Sequence, residues 1–100
     1  MEYLFSYGTL RERKIQLAIF KRLLPMRKDE ALGFILSTQK AYGKYLLVQK
    51  SDNPKAVLPG AILEVTPQDL IQADRYEGPE YQRILVPLKS GKQAWLYIAK

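Results

Sequence analysis

Short apolar segments, each ended by a turn or helix signal, run through the whole chain and limit its fold more than any other feature. Gly8 ends the first segment, and Pro25 ends the second. Pro54, Gly78 and Gly91 mark three further breaks. Segments of this length suit strands and short helices that share one core. We predict strands at residues 3–7, 31–39, 45–49, 56–65, 81–88 and 93–98.

Two segments between these strands have the features of helices. In residues 11–24, apolar side chains such as Ile15 and Ile19 recur at helical spacing among Arg and Lys, which indicates an amphipathic helix. A second helix begins at Thr66, a good N-cap, and extends to about Glu77. The order β-α-β-β-β-α-β-β predicts an α+β fold, in which two helices pack on a small, mostly antiparallel β-barrel.

Two glycines inside apolar runs predict local irregularities. Gly33 indicates a bulge or a close approach of two backbones. Pro59-Gly60 interrupts the run at residues 56–65, so we expect a sheet edge or a sharp bend there.

The composition excludes several classes of chemistry. A chain of 100 residues, 47% of them hydrophobic, is expected to form a single domain, residues 1–100. It contains no cysteine and no histidine, which rules out disulfides, thiolate nucleophiles, His-based triads and nearly every zinc site. No apolar segment is long enough to span a membrane and no leader precedes the first strand, so we expect a cytoplasmic protein.

The net charge of +6 is unevenly distributed. Residues 1–50 carry ten Lys and Arg against four Asp and Glu, whereas residues 51–100 carry six of each. Such an excess can attract nucleic acid. The basic residues are dispersed and lack a stacking motif beside them, so a solvated surface is the favoured interpretation.

Glu77 is the first candidate for chemistry. On the second helix, Leu70, Ala73 and Asp74 share a face with Glu77, which directs its carboxylate inward. Desolvation would raise the pKa of that carboxyl toward the range of a general base near neutrality. Alternatively, the helix end is frayed and Glu77 is solvated, or it pairs with Arg75 or Arg83.

The second candidate is the stretch Gly8-Thr9-Leu10 between the first strand and the first helix. A glycine there can leave successive N–H groups free to bind a carboxylate or an oxyanion. Glycine also ends strands for purely steric reasons, so the pattern leaves both interpretations open.

Four segments, in this order and spacing, resemble the γ-glutamylcyclotransferase-like (AIG2-like) family. They are YLFSYGTL at the amino end, Gly33 in its strand, LPGAILEVTPQDL and DRYEGPEYQR, with AWLYIA as a closing strand. The resemblance implies a small β-barrel with packed helices and an enzyme that releases 5-oxoproline from γ-glutamyl compounds without a metal or organic cofactor. The implied partner is a small-molecule γ-glutamyl substrate. The dispersed basic residues and the lack of a membrane-length segment argue separately against nucleic-acid and membrane partners.

The resemblance also implies roles for single residues. Glu77 matches the family's acid/base, and it is preferred to Glu80, which follows Pro79 in a turn. The implied substrate-binding residues are Tyr7, Gly8, Thr9, Leu10, Tyr81, Arg83 and Tyr97. The sequence reads QADRYEG where many relatives have a leucine before the aspartate, and the leaving amine stays undefined. A non-catalytic module that binds a small carboxylate or a protein is the alternative.

Overall fold

A computed structural model describes residues 2–41 and 45–100, with side-chain detail outside residues 37–47. Two α-helices and seven strands make up this part of the chain. In chain order these are β1 (Glu2–Ser6), a 3-10 turn (Thr9–Arg11), α1 (Arg13–Phe20), β2 (Met26–Leu32), β3 (Phe34–Ala41), β4 (Tyr45–Lys50), β5 (Val57–Val65), α2 (Pro67–Glu77), β6 (Tyr81–Pro87) and β7 (Gln93–Ala99).

The strands form one mixed sheet and one hairpin. The five-stranded sheet has the order β2-β5-β1-β7-β6, and β3 pairs with β4 in a separate two-stranded sheet. β1 is antiparallel to β5 but parallel to β7, with Leu4 opposite Trp95. The other neighbours in the sheet are antiparallel. The α+β class with two helices is confirmed.

The predicted barrel is wrong, because the sheet is not closed. Its edge strands are β2 and β6. They approach at one bridge between Ala31 and Leu88, beside a hydrogen bond from the Lys89 N–H to the Glu30 carbonyl. A barrel needs a continuous ladder along the closing edge. Here the chain turns after Leu88 toward β7, and the β3–β4 hairpin forms its own sheet instead of filling the gap.

The sequence prediction missed β2. Its sequence, MRKDEAL, is mostly charged, and its side chains are largely exposed. β2 nevertheless pairs with β5 along its whole length. Gly33, predicted to lie inside one strand, separates β2 from β3 with a φ of 81°. An edge strand with a solvated face gives no apolar pattern, which is why this element was not found.

The first helix is shorter than predicted. α1 ends at Phe20, and Lys21 takes a left-handed conformation with a φ of 64°. The buried Gln16 side chain accepts a hydrogen bond from the Leu24 N–H and donates one to the Leu10 carbonyl, so it stabilises a bend before Pro25. None of the helices in the described part of the chain is long and apolar enough to cross a membrane.

The second helix follows the prediction. Thr66 and Asp69 form a capping box, in which each side chain accepts a hydrogen bond from the other residue's N–H. Pro67 occupies the first turn. The helix ends at Glu77, because Gly78 with a φ of 93° cannot continue it.

The expected edge or bend at Pro59-Gly60 is also wrong, because β5 runs through it. The pairing of β1 with β5 ends where Ser6 faces Ala61. Pro59 lies beyond this point, so its missing N–H removes no hydrogen bond between β5 and β1. A Cβ on Gly60 would lie 2.5 Å from the Ser6 carbonyl oxygen and 2.6 Å from the Phe5 ring. Glycine is required here by the close approach of β5 to the end of β1.

Apolar side chains fill both faces of the sheet. Leu4 and Leu63 face the helices, where they pack with residues such as Leu70. Phe5 and Ile62 belong to the second cluster, which the β3–β4 hairpin covers with Phe34 and Val48. Burial on both faces explains the continuous apolar runs of β1 and β5. It also fixes the end of β1 between the hairpin and the helices.

Candidate active site

A cavity of about 360 Å³ opens where β1 ends against the last turn of α2. A volume of this size suits a small ligand. Six of the predicted substrate-binding residues and Glu77 line it, together with four others. The predicted residues are Tyr7, Gly8, Thr9, Leu10, Tyr81, Tyr97 and Glu77; the others are Phe5, Ser6, Leu36 and Tyr76.

The loop after β1 is held with its carbonyl groups on one side. The Arg11 guanidinium donates hydrogen bonds to the carbonyl oxygens of Tyr7, at 2.9 Å, and Gly8, at 3.1 Å. Because a trans peptide places C=O and N–H on opposite sides, the Thr9 N–H points away from Arg11. Sequence reasoning gave no role to Arg11.

The loop therefore offers fewer free donors than the sequence suggested. The Gly8 N–H donates to the Ser6 hydroxyl at 3.2 Å and is already used. Thr9 and Leu10 begin the 3-10 turn, where the first N–H groups have no partner within the turn. Over residues 2–41 and 45–100, no hydrogen bond is found from either of these two N–H groups to another part of the protein.

Gly8 is not required by the packing of the protein. Its φ of −133° is not in the left-handed region that favours glycine, and a Cβ would meet no atom within 4 Å. The steric interpretation left open by the sequence therefore has no support from contacts within the described chain. The bare backbone leaves room on the cavity side of the loop.

Glu77 is the last residue of α2, and its side chain is partly buried. Burial raises the pKa of its carboxyl from 4.5 to about 7. Neither proposed cation partner pairs with it: Arg83 binds Asp74, and no ion pair of Arg75 is found among the described residues. Desolvation without a compensating charge makes the carboxyl a weak acid that titrates near neutrality.

Two tyrosines beside Glu77 are also buried. The Tyr7 hydroxyl donates to the Tyr97 carbonyl oxygen at 3.2 Å. Burial raises the pKa of Tyr7, and the charge of Glu77 adds to the effect. Burial likewise raises the pKa of Tyr97, which donates to Asp74 at 2.6 Å. Both phenols stay protonated, so they act through hydrogen bonds and not as bases.

Arg83 lies outside the lining of the cavity. Its guanidinium donates two hydrogen bonds to the Asp74 carboxylate, at 2.8 and 3.2 Å, and lies 4.7 Å from the centre of the Trp95 ring. Burial alone would raise the pKa of Asp74, but hydrogen bonds from Arg83 and Tyr97 outweigh it and lower that pKa. The substrate-binding role implied for Arg83 does not match this position.

The arrangement can be compared with known proteins. The family model for gamma-glutamyl cyclotransferase, AIG2-like, matches residues 4–100. The chain belongs to this family. No curated protein matches the chain.

Solved structures with this fold include proteins from plants, bacteria and archaea. The chain is 20% identical to an Arabidopsis thaliana protein solved in solution, with a TM-score of 0.83. The match covers 98% of this chain and 61% of that one. It is 22% identical to an uncharacterized Pyrococcus horikoshii protein, with a TM-score of 0.72, and the match covers 99% of this chain and 78% of that one. It is 17% identical to a gamma-glutamyl cyclotransferase, with a TM-score of 0.71, and the match covers 99% of this chain and 66% of that one. At these identities the similarity establishes the fold alone.

The AIG2-like family motifs YGTL and YEG meet at this cavity, with one contact that sequence reasoning missed. The Thr9 and Tyr76 hydroxyls share a hydrogen bond of 2.5 Å, which joins the loop to α2. Sequence reasoning gave no role to Tyr76, and its position beside Glu77 is the signal that could have indicated this contact. Glu80, the rival of Glu77, is exposed and does not line the cavity.

No metal site is found in the described ranges. No group of three or more Asp, Glu, His or Cys there could hold an ion. A larger, more open depression of about 780 Å³ is lined by Met26, Lys28 and Lys89, among others, and includes none of the predicted site residues.

Proposed function

We propose that this protein is a γ-glutamyl cyclotransferase that releases 5-oxoproline from a γ-glutamyl amide or γ-glutamylamine. One observation carries the proposal: the Glu77 carboxyl, with its pKa raised to about 7, lines the same cavity as the loop that offers the Thr9 and Leu10 N–H groups. Membership of the AIG2-like family supports this activity.

The reaction is an intramolecular aminolysis. The α-amine of the substrate attacks its own γ-carbonyl carbon, so a new C–N bond closes the five-membered ring. The bond to the leaving amine then breaks. Because the nucleophile belongs to the substrate, the absence of cysteine and histidine is no obstacle. Holding amine and carbonyl together supplies much of the rate acceleration.

Glu77 handles the proton in this proposal. As a carboxylate it accepts a proton from the α-ammonium, which makes the amine nucleophilic. After the new C–N bond forms, the attacking nitrogen gives up its second proton. Both protons pass to the departing amine, which leaves as an ammonium ion, and Glu77 is again a carboxylate. One group can do both steps when its pKa lies near the working pH. A solvated glutamate would be too weak a base, so burial of Glu77 is essential.

The loop after β1 stabilises negative charge on the substrate in this proposal. The N–H groups of Thr9 and Leu10 are suited to a negatively charged oxygen, either the oxyanion that develops on the γ-carbonyl or the α-carboxylate. Arg11 orients them indirectly by fixing the Tyr7 and Gly8 carbonyls on the opposite side. Tyr7, Tyr81 and Tyr97 complete the walls.

The test is release of 5-oxoproline from a panel of γ-glutamyl amides and amines, measured by mass spectrometry. We expect turnover of at least one panel member by the wild type. Glu77→Gln should lower kcat/KM by about 10²–10⁴-fold, because it removes the group that moves the proton in this proposal. Circular dichroism checks that the variant is folded.

Glu80→Gln is the matched control, since Glu80 is an exposed carboxylate three residues further along. It should retain wild-type turnover. Equal activity of Glu77→Gln and wild type would remove Glu77 from the mechanism. Saturable binding of 5-oxoproline without turnover of any panel member would replace the enzyme with a binding module.

A further inference from the structure

Glu77 occupies a position where helices usually fray. It is the last residue of α2, and Gly78 leaves the helical conformation directly after it. The terminal turns of helices are among the least stable parts of a fold. A frayed last turn would turn the Glu77 carboxyl toward water, so the cavity requires something that holds this turn in place.

Asp74, one turn earlier, makes the contacts that hold it. Its carboxylate accepts two hydrogen bonds from Arg83 on β6 and a third from the Tyr97 hydroxyl on β7. Its carbonyl oxygen accepts the Gly78 N–H at 3.1 Å. A single residue thus joins the end of α2 to two strands and also closes the helix.

These bonds contribute more to position than to stability. The side chains of Asp74 and Arg83 are 43% and 26% exposed, and ion pairs this open to solvent add little to folding free energy. The two-pronged Arg–carboxylate geometry instead fixes orientation. Arg83 also lies over the Trp95 ring, a cation–π contact that helps to hold its guanidinium in place.

We propose that Asp74 is a positioning residue, which through Arg83 and Tyr97 fixes the last turn of α2 and thereby keeps the Glu77 carboxyl in the cavity. The importance of this for catalysis rests on the proposed function. The structural part does not, because the position of Glu77 can be measured without turnover.

The titration of Glu77 reports its position. The groups that face it are the phenols of Tyr7 in the loop after β1, Tyr81 on β6 and Tyr97 on β7, and none of these carries a positive charge. Water exclusion is the cause of the raised pKa. If the last turn opens, water reaches the carboxyl and its pKa falls toward 4.5.

Two variants separate positioning from simple electrostatics. Asp74→Asn removes a negative charge near Glu77, and Arg83→Gln removes a positive one. Through-space effects alone would lower the pKa of Glu77 in the first variant and raise it in the second. Loss of positioning would instead lower the pKa of Glu77 in both variants.

The experiment is a carbon-13 NMR titration of the Glu77 carboxyl with hydrogen exchange at the Gly78 amide. We expect the Glu77 pKa to fall at least halfway toward 4.5 in both variants. The Gly78 amide should exchange about tenfold faster or more. If the protein is the proposed enzyme, kcat/KM also falls and its acidic limb moves to lower pH.

Arg22→Gln is the matched control, because Arg22 forms the equivalent two-pronged pair with Asp69 at the other end of α2. It should leave both Glu77 readouts unchanged. A raised Glu77 pKa in Arg83→Gln, or unchanged Gly78 exchange in both variants, would overturn the proposal. Absence of 5-oxoproline release with these NMR changes intact would count against the proposed function only.

Discussion

At the scale of single residues, the candidate site depends on a carboxyl that lacks a positive partner. Glu77 and Asp74 share a helix face, yet their environments separate their pKa values in opposite directions. Arg83 keeps Asp74 ionised, whereas burial makes Glu77 a weaker acid. Two carboxyls a turn apart can therefore have different tasks, one in structure and one in proton transfer.

Sequence reasoning identified Glu77 because the spacing of Leu70 and Ala73 on one helix face can be read from the chain alone. It assigned Arg83 to substrate binding from the family resemblance, and nothing local shows which carboxylate of that face an arginine from β6 will meet. That choice depends on how α2 packs against the sheet, which is a tertiary property.

Gly8 provides a residue-scale prediction. Gly8→Ala should fold with a stability within about 0.5 kcal/mol of wild type, because the added methyl meets no protein atom within 4 Å. If the free space belongs to a ligand, affinity for 5-oxoproline should fall about tenfold or more. Urea denaturation and calorimetric titration measure the two quantities. Unchanged affinity would show that the ligand does not approach the loop at Gly8.

At the scale of elements, local signals predicted what local interactions determine. α2 begins where Thr66 and Pro67 place it, because the capping box is complete within four residues. α1 ends early because Gln16 bonds to Leu24 across a bend, which no periodicity shows. β2 is a charged edge strand that is determined by its pairing with β5, which no local pattern shows.

At the scale of the whole molecule, closure of the sheet could not be predicted from the sequence. It depends on whether β2 and β6, at opposite edges, form a ladder, and they meet only at Ala31 and Leu88. The chain covers only 61% of one Arabidopsis thaliana structure with this fold.

The buried carboxyl also affects the stability of the whole molecule. Its folded pKa of about 7 exceeds the ordinary 4.5, so the folded state binds more protons between these values. Stability is therefore unaffected at low pH, falls as pH rises from 4.5 to 7, and stays lowered above. Glu77→Gln should be more stable relative to wild type at pH 8 than at pH 5, by about 1–3 kcal/mol. Urea denaturation at both values measures the difference, and a pH-independent difference would contradict it.

Glu77 is a partly buried acid in the cavity that is also lined by Thr9 and Leu10, and the proposed function depends on this. The most direct measurement is the pKa of its carboxyl in the wild-type protein, obtained by carbon-13 NMR titration with the signal assigned from Glu77→Gln. The structure predicts a value of about 7. A value near 4.5, the ordinary one for glutamate, would mean that the carboxyl is solvated and that the proposed acid/base does not exist.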